Sequence, residues 1–124
     1  MLIDSNLIIY AAQPAHGALR QFIAANNPAV SVISYVEVLG FHRLTPEDQQ
    51  LFRRFFASAE TFQITFPILD QAVTLRQQRR MSLGDSLIAA TALVHNRTLL
   101  TRNLDDFRWI PVLKLLDPMA TQNP

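Results

Sequence analysis

Cysteine is missing from this chain of 124 residues. That excludes disulfides and thiolate metal sites, and it is neutral about compartment. Lysine is nearly missing: Lys114 is the one lysine among 11 basic residues, and the others are arginines. Arginine offers a planar fork suited to phosphates and carboxylates, although a GC-rich genome gives the same bias. Bulk charge is missing as well. A net charge of +1 excludes the basic field of a dedicated nucleic-acid coat protein. No apolar run approaches a membrane span, and no basic region precedes an apolar core at the N-terminus. The expectation is therefore a cytoplasmic protein with no signal peptide and no membrane partner. There are no internal repeats, low-complexity segments or linkers, so the chain is expected to be one domain over 1–117 with a loose polar tail over 118–124.

What the chain has is apolar content: 49% hydrophobic against 17% charged residues. This fits either an apolar face buried against a partner or a parallel sheet buried on both sides. The stretch Ser82 to Phe107 organises the rest. Ser82 is placed to cap a helix that runs to about His95. Thr98 to Thr101 reads as a short buried strand, and Arg102 to Phe107 as a polar, acidic loop at its carboxyl end. Further strands are expected at Leu2-Ile3, Ala29–Ser34, Thr61–Phe66 and Trp109–Leu116, the third from its period-two alternation. Helices are expected after Asp4, over 16–25, from Tyr35, over Pro46–Ser58 behind a Thr45 cap, and over Ile68–Arg80. Strands separated mostly by helices give an α/β sandwich with a largely parallel sheet of about five strands.

Ligands bind outside the carboxyl edge of such sheets, and acids gather near that edge. Asp4 ends the first strand. Glu37 lies in an apolar helix start, where burial is costly unless the charge is paired or metal-bound. Asp85 opens a helix, and Asn103, Asp105 and Asp106 follow the fourth strand. Three or four carboxylates in one cavity raise each other's pKa values, and a hard divalent cation relieves that. Oxygen ligands without cysteine or convergent histidine favour Mg²⁺, with Mn²⁺ possible. Such an ion acidifies water for attack on a phosphodiester. Local alternatives stand beside these roles: a helix cap for Asp4, a solvated face for Glu37, and helix-terminal cations for the Arg76, Arg79 and Arg80 cluster.

Four segments carry a resemblance: Leu2-Ile3-Asp4-Ser5-Asn6, Ser34-Tyr35-Val36-Glu37-Val38, Gly84-Asp85-Ser86 through Ala92, and Leu100-Thr101-Arg102-Asn103-Leu104-Asp105-Asp106-Phe107. In order and spacing the chain resembles the PIN-domain ribonucleases, specifically the VapC-like toxins of type II toxin–antitoxin pairs. The resemblance implies a PIN-like three-layer α/β/α sandwich, Mg²⁺-dependent endonucleolytic cleavage of RNA, a homodimer, and a cognate antitoxin that blocks the acidic groove. Carried over by position, Asp4 and Asp85 are the principal metal ligands, and Glu37 is the third carboxylate, direct or through water. The fourth position stays open between Asn103 and Asp106. Ser5, Asn6, Thr101 and Asn103 become substrate or supporting residues, and Arg79, Arg80 and Arg102 become RNA contacts. The rival on the same fold is a non-catalytic PIN-like module that binds nucleic acid or protein.

Overall fold

Parallel pairing builds the centre of the molecule. The structure, a computed structural model, describes residues 1–120, so 121–124 of the expected tail lie outside the described residues. Strands β1 (Leu2–Ile3), β4 (Leu99–Leu100) and β5 (Leu115–Leu116) form one ladder, and β2 (Val30–Ser31) and β3 (Thr61–Phe62) another. A parallel bridge between Leu2 and Ala29 joins them, with the Ile3 amide donating to the Ala29 carbonyl at 3.0 Å. The sheet therefore runs β3-β2-β1-β4-β5, parallel throughout.

The period-two alternation of side chains then divides the core. Leu2, Ala29, Leu99 and Leu115 face one side, where α5 (Phe66–Gln78), α6 (Leu83–Val94) and α7 (Leu104–Phe107) pack through Ile68, Leu75, Ile88 and Phe107. Ile3, Val30, Leu100 and Leu116 face the other, under α1 (Ser5–Ala11), α2 (Gly17–Asn26), α3 (Val32–Leu39) and α4 (Pro46–Ser58). The result is the expected three-layer α/β/α sandwich.

Several strands are shorter than the sequence pattern suggests. β2 stops at Ser31 because the Ser31 hydroxyl accepts from the Ile33 amide at 3.2 Å and starts α3 there, so Val32, Ile33 and Ser34 are helical. β3 stops at Phe62, with Thr65 at the N-cap of α5 and Phe66 already inside it. Of the last expected strand only Leu115–Leu116 pairs; the residues before it form turns. The expected acidic loop contains the short helix α7. The beginning of the expected tail is tied down, with Pro118 buried and Met119 packed on the α1–α4 side.

Where the sequence supplies cap chemistry, element starts fall as expected. Thr45 accepts from the Asp48 amide at 3.1 Å with Pro46 leading α4. Ser82 accepts from the Asp85 amide at 3.1 Å and sets the start of α6.

Candidate active site

β1 and β4 are neighbours, yet the chain leaves them toward opposite faces: α1 packs on one side of the sheet and α7 on the other. Divergence of this kind opens a crevice at the carboxyl ends, the switch point where parallel α/β sheets bind ligands. Asp4 follows β1 and Thr101 follows β4, both facing that crevice from a buried position. The Thr101 hydroxyl donates to Asp4 Oδ2 at 2.9 Å and accepts from the Asn103 amide at 3.0 Å. Asp4 occupies the N-cap position of α1 but makes no side-chain capping bond. Its carboxylate is turned into the crevice.

Asp85 reaches the same place from the first turn of α6, and Glu37 from α3. Asp4, Glu37 and Asp85 line one cleft of about 310 Å³, together with Ser5, Asn6 and His42. Glu37 is exposed rather than buried, so the desolvation cost expected for it does not arise. It is oriented by hydrogen bonding: Ser5 Oγ donates to Glu37 Oε1 at 2.7 Å and lies 2.7 Å from the buried Ser34 Oγ. Gly84 makes room for it, since a Cβ there would lie 2.5 Å from Glu37 Oε2. Ser34 and Gly84 belong to motifs visible in the sequence, but their contacts with Ser5 and Glu37 depend on α1, α3 and α6 meeting. His42, which the sequence places outward on a polar face with Glu37, stands exposed on the rim.

The electrostatics follow from burial and from like charge. Burial pushes Asp4 up to about 6, against the Thr101 hydrogen bond, and the charges of Asp85 and Glu37 add to the rise. Asp85 is also raised, first by burial and then by the Asp106 charge, with the Ser82 hydrogen bond opposing. Asp106 on α7 therefore acts on Asp85. Asn103 instead lines a neighbouring cavity with Asn6, Tyr10 and Arg102. Asp105 points away and pairs with Arg108 at 3.0 Å.

The donors are hard oxygens, and burial together with mutual repulsion leaves them short of positive charge. Among the described residues, no three His, Asp or Glu side chains stand close enough to hold an ion as a ready cage. Mg²⁺ does not require one, because it is usually held by one or two carboxylates and keeps several waters. Asp4 and Asp85 with Glu37 beside them fit that pattern. Arg79 and Arg80 lie outside the cleft. They line a groove of α5 and α6 with Arg76 and Leu83, and the Arg79 guanidinium carbon lies 5.6 Å from the Trp109 ring centroid.

The fold has counterparts among known proteins. A family model described as PIN domain matches residues 1–112. No curated protein sequence matches the chain. Among solved structures, a toxin–antitoxin complex from Klebsiella pneumoniae contains a chain 29% identical, with a TM-score of 0.76, over 94% of this chain and 96% of that one. A DNA-bound VapBC from Salmonella typhimurium superposes with a TM-score of 0.80 at 17% identity, covering 94% and 96%. FitAcB from Neisseria gonorrhoeae gives 0.73 at 19% identity, covering 95% and 97%.

Proposed function

The chain belongs to the PIN domain family, and from that premise we propose that it is a Mg²⁺-dependent endoribonuclease, the toxin of a VapBC-type toxin–antitoxin pair. The observation that carries this is the meeting of Asp4, Glu37 and Asp85, from three separate elements, in one cleft at the switch point of the sheet. Asp4 and Asp85 would hold the ion, with Mn²⁺ as a substitute, and Glu37 would reach it directly or through water and orient the water for attack. A divalent cation bound there supplies positive charge for the phosphate and makes water a better nucleophile. Ser5 fixes Glu37, and Thr101 fixes Asp4. Asp106 adds its charge to the acidic cluster beside Asp85 from α7, a repulsion that a bound cation would relieve, and Asn6 and Asn103 are placed for substrate. Arg102 beside the cleft contacts the RNA, and Arg79 and Arg80 extend that contact along the flank.

The toxin–antitoxin complex among the structural relatives supports an antitoxin partner, and the acidic groove is the surface we propose that it blocks. Exposed apolar residues on α3, α5 and α6, among them Val36, Phe66, Val73 and Leu83, support burial against partners and a homodimer. No helix among the described residues is long and apolar enough to cross a membrane, in keeping with a cytoplasmic site of action.

The deciding experiment incubates purified protein with total RNA in Mg²⁺ and in EDTA, beside Asp4→Ala. Discrete fragments that need both the metal and Asp4 are expected. Folded protein that binds Mg²⁺ and cuts nothing would replace the nuclease with a non-catalytic binding module.

A further inference from the structure

The carboxylate cleft does not end at Asp4. Asn6, Ile9 and Phe41 line it and also line a second open cavity of about 580 Å³, which is completed by Tyr10, Arg102 and Asn103. The two spaces share a wall on α1, but their chemistry differs. Acids surround the first. Among the described residues no acid lines the second, which offers two aromatic rings, a guanidinium and two primary amides. Proteins hold unpaired bases with such a set, flat faces to stack on and amides to pair with base edges.

Arg102 is anchored in a fixed pose. Its guanidinium carbon lies 5.1 Å from the Tyr10 ring centroid, Nη1 donates to the Tyr10 hydroxyl at 3.0 Å, and Nε stands 3.9 Å from Asp117 Oδ2. Tyr10 is held in turn: its ring stacks on His16 with centroids 4.1 Å apart and an interplanar angle of 13°, and His16 Nδ1 donates to the Tyr10 carbonyl at 2.8 Å. A guanidinium already held by these contacts gives up little freedom when a base stacks on it. The loop that carries Arg102 is also tied to the acids, since the Asn103 amide donates to Thr101 Oγ1, which donates to Asp4.

We propose that this cavity is a nucleotide subsite, which takes one unpaired base of the RNA strand whose phosphate lies in the carboxylate cleft and so selects the sequence that is cut. It rests on the ribonuclease function proposed above and adds the residues that choose the base: Phe41 and Arg102 as stacking faces, Asn6 and Asn103 as partners for its edge.

Two variants keep charge or bulk and remove the flat face, Arg102→Lys and Phe41→Leu. Fragment ends from total RNA cut in Mg²⁺ are sequenced for each and for the wild type. The wild type is expected to prefer one base at one position beside the cut, and both variants to relax that position while the others keep their pattern. In an Asp85→Asn background, which suppresses cutting, binding of a fluorescein-labelled random-sequence RNA octamer should weaken about fivefold or more on adding Phe41→Leu, the loss of one stacked base. The salt slope should not change, because no phosphate contact is lost. Far-UV circular dichroism checks that each variant is folded. Unchanged base preference and affinity in variants of a wild type that cuts would overturn the subsite and leave the nuclease standing. A lower salt slope for Arg102→Gln, which removes the charge, with the base preference intact would make Arg102 a phosphate contact and overturn it equally. A folded wild type that cuts no RNA would remove the nuclease, and the subsite with it.

Discussion

Asp4 is 3% exposed and near two more acids, so its ionised form destabilises the fold. With a folded pKa of about 6 against 3.8 for the free group, the native state holds the proton more tightly than the unfolded one. The sign follows from linkage. The group favours folding fully below the unfolded value, and that contribution is lost as pH rises through about 6. Its size is at most about 3 kcal/mol, from 1.36 kcal/mol per pKa unit. Metal-free protein should therefore melt at a lower temperature near neutral pH than near about pH 5 on account of this residue. Asp4→Asn, which can still accept from Thr101, should flatten that fall and raise the neutral Tm. Millimolar Mg²⁺ should raise the neutral Tm of the wild type and do little for the variant. Thermal melts across pH, with and without the ion, read all of this. A neutral Asp4→Asn protein less stable than the wild type would mean that Asp4 is compensated by a positive partner within the fold.

At the scale of elements, the start of α6 against α3 brings two of the acids together. The approach depends on Gly84, where a Cβ would meet Glu37 Oε2 at 2.5 Å. The obstructed atom is the tip of an exposed, flexible side chain, so Gly84→Ala should shift Glu37 rather than break the packing. Alanine also favours helix over glycine by up to about 1 kcal/mol, less in a first turn. The expected result is an unchanged or slightly higher Tm with cleavage reduced about tenfold or more, the loss that follows when a positioning group moves by an ångström. If the melt collapsed, the glycine would be serving the packing of the helix pair. If cleavage were unaffected, Glu37 would have no part in the chemistry. β2 and α3 make the same point about boundaries. Val32 and Ile33 are β-branched and read as strand, but the Ser31 cap places them in a helix and carries Ser34 and Glu37 to Ser5.

For the whole molecule, the apolar excess has two destinations. The sheet takes much of it, buried on both faces. The remainder stands on the surface, with Phe66 79% and Val73 55% exposed on α5 and Leu83 60% exposed on α6. A homodimer that buries this face should sediment at twice the chain mass at micromolar concentration, and Val73→Glu should shift it to monomer and lower the Tm only by the lost association, since the side chain is not part of the core. Sedimentation equilibrium decides. A wild-type monomer at every concentration would withdraw the pairing, and a Val73→Glu dimer would move it to another face.

Local chemistry was legible in the residues themselves. The caps at Thr45 and Ser82 are short-range hydrogen bonds between near neighbours in the chain, and both helix starts fall where those residues stand. The alternation of strands and helices announced a parallel sheet, and an acid directly after β1 put Asp4 at its carboxyl edge. The position of Asp85 could be read from its cap. Strand lengths could not be read, because a strand extends only as far as a neighbour pairs with it, and the Ser31 cap turns the chain from β2 into α3. The partner of Glu37 was equally hidden: Ser5 lies 32 positions away in the chain and meets it only because α1 and α3 pack on one face. The same holds for the fourth acid, where α7 brings Asp106 to act on Asp85 and turns Asn103 toward Tyr10 and Arg102. The sequence by itself determined which chemistry was available and at which edge of the sheet it would gather. The tertiary structure decided which side chains face one another there, because contacts between distant segments depend on how the helices pack and not on any single stretch of the chain.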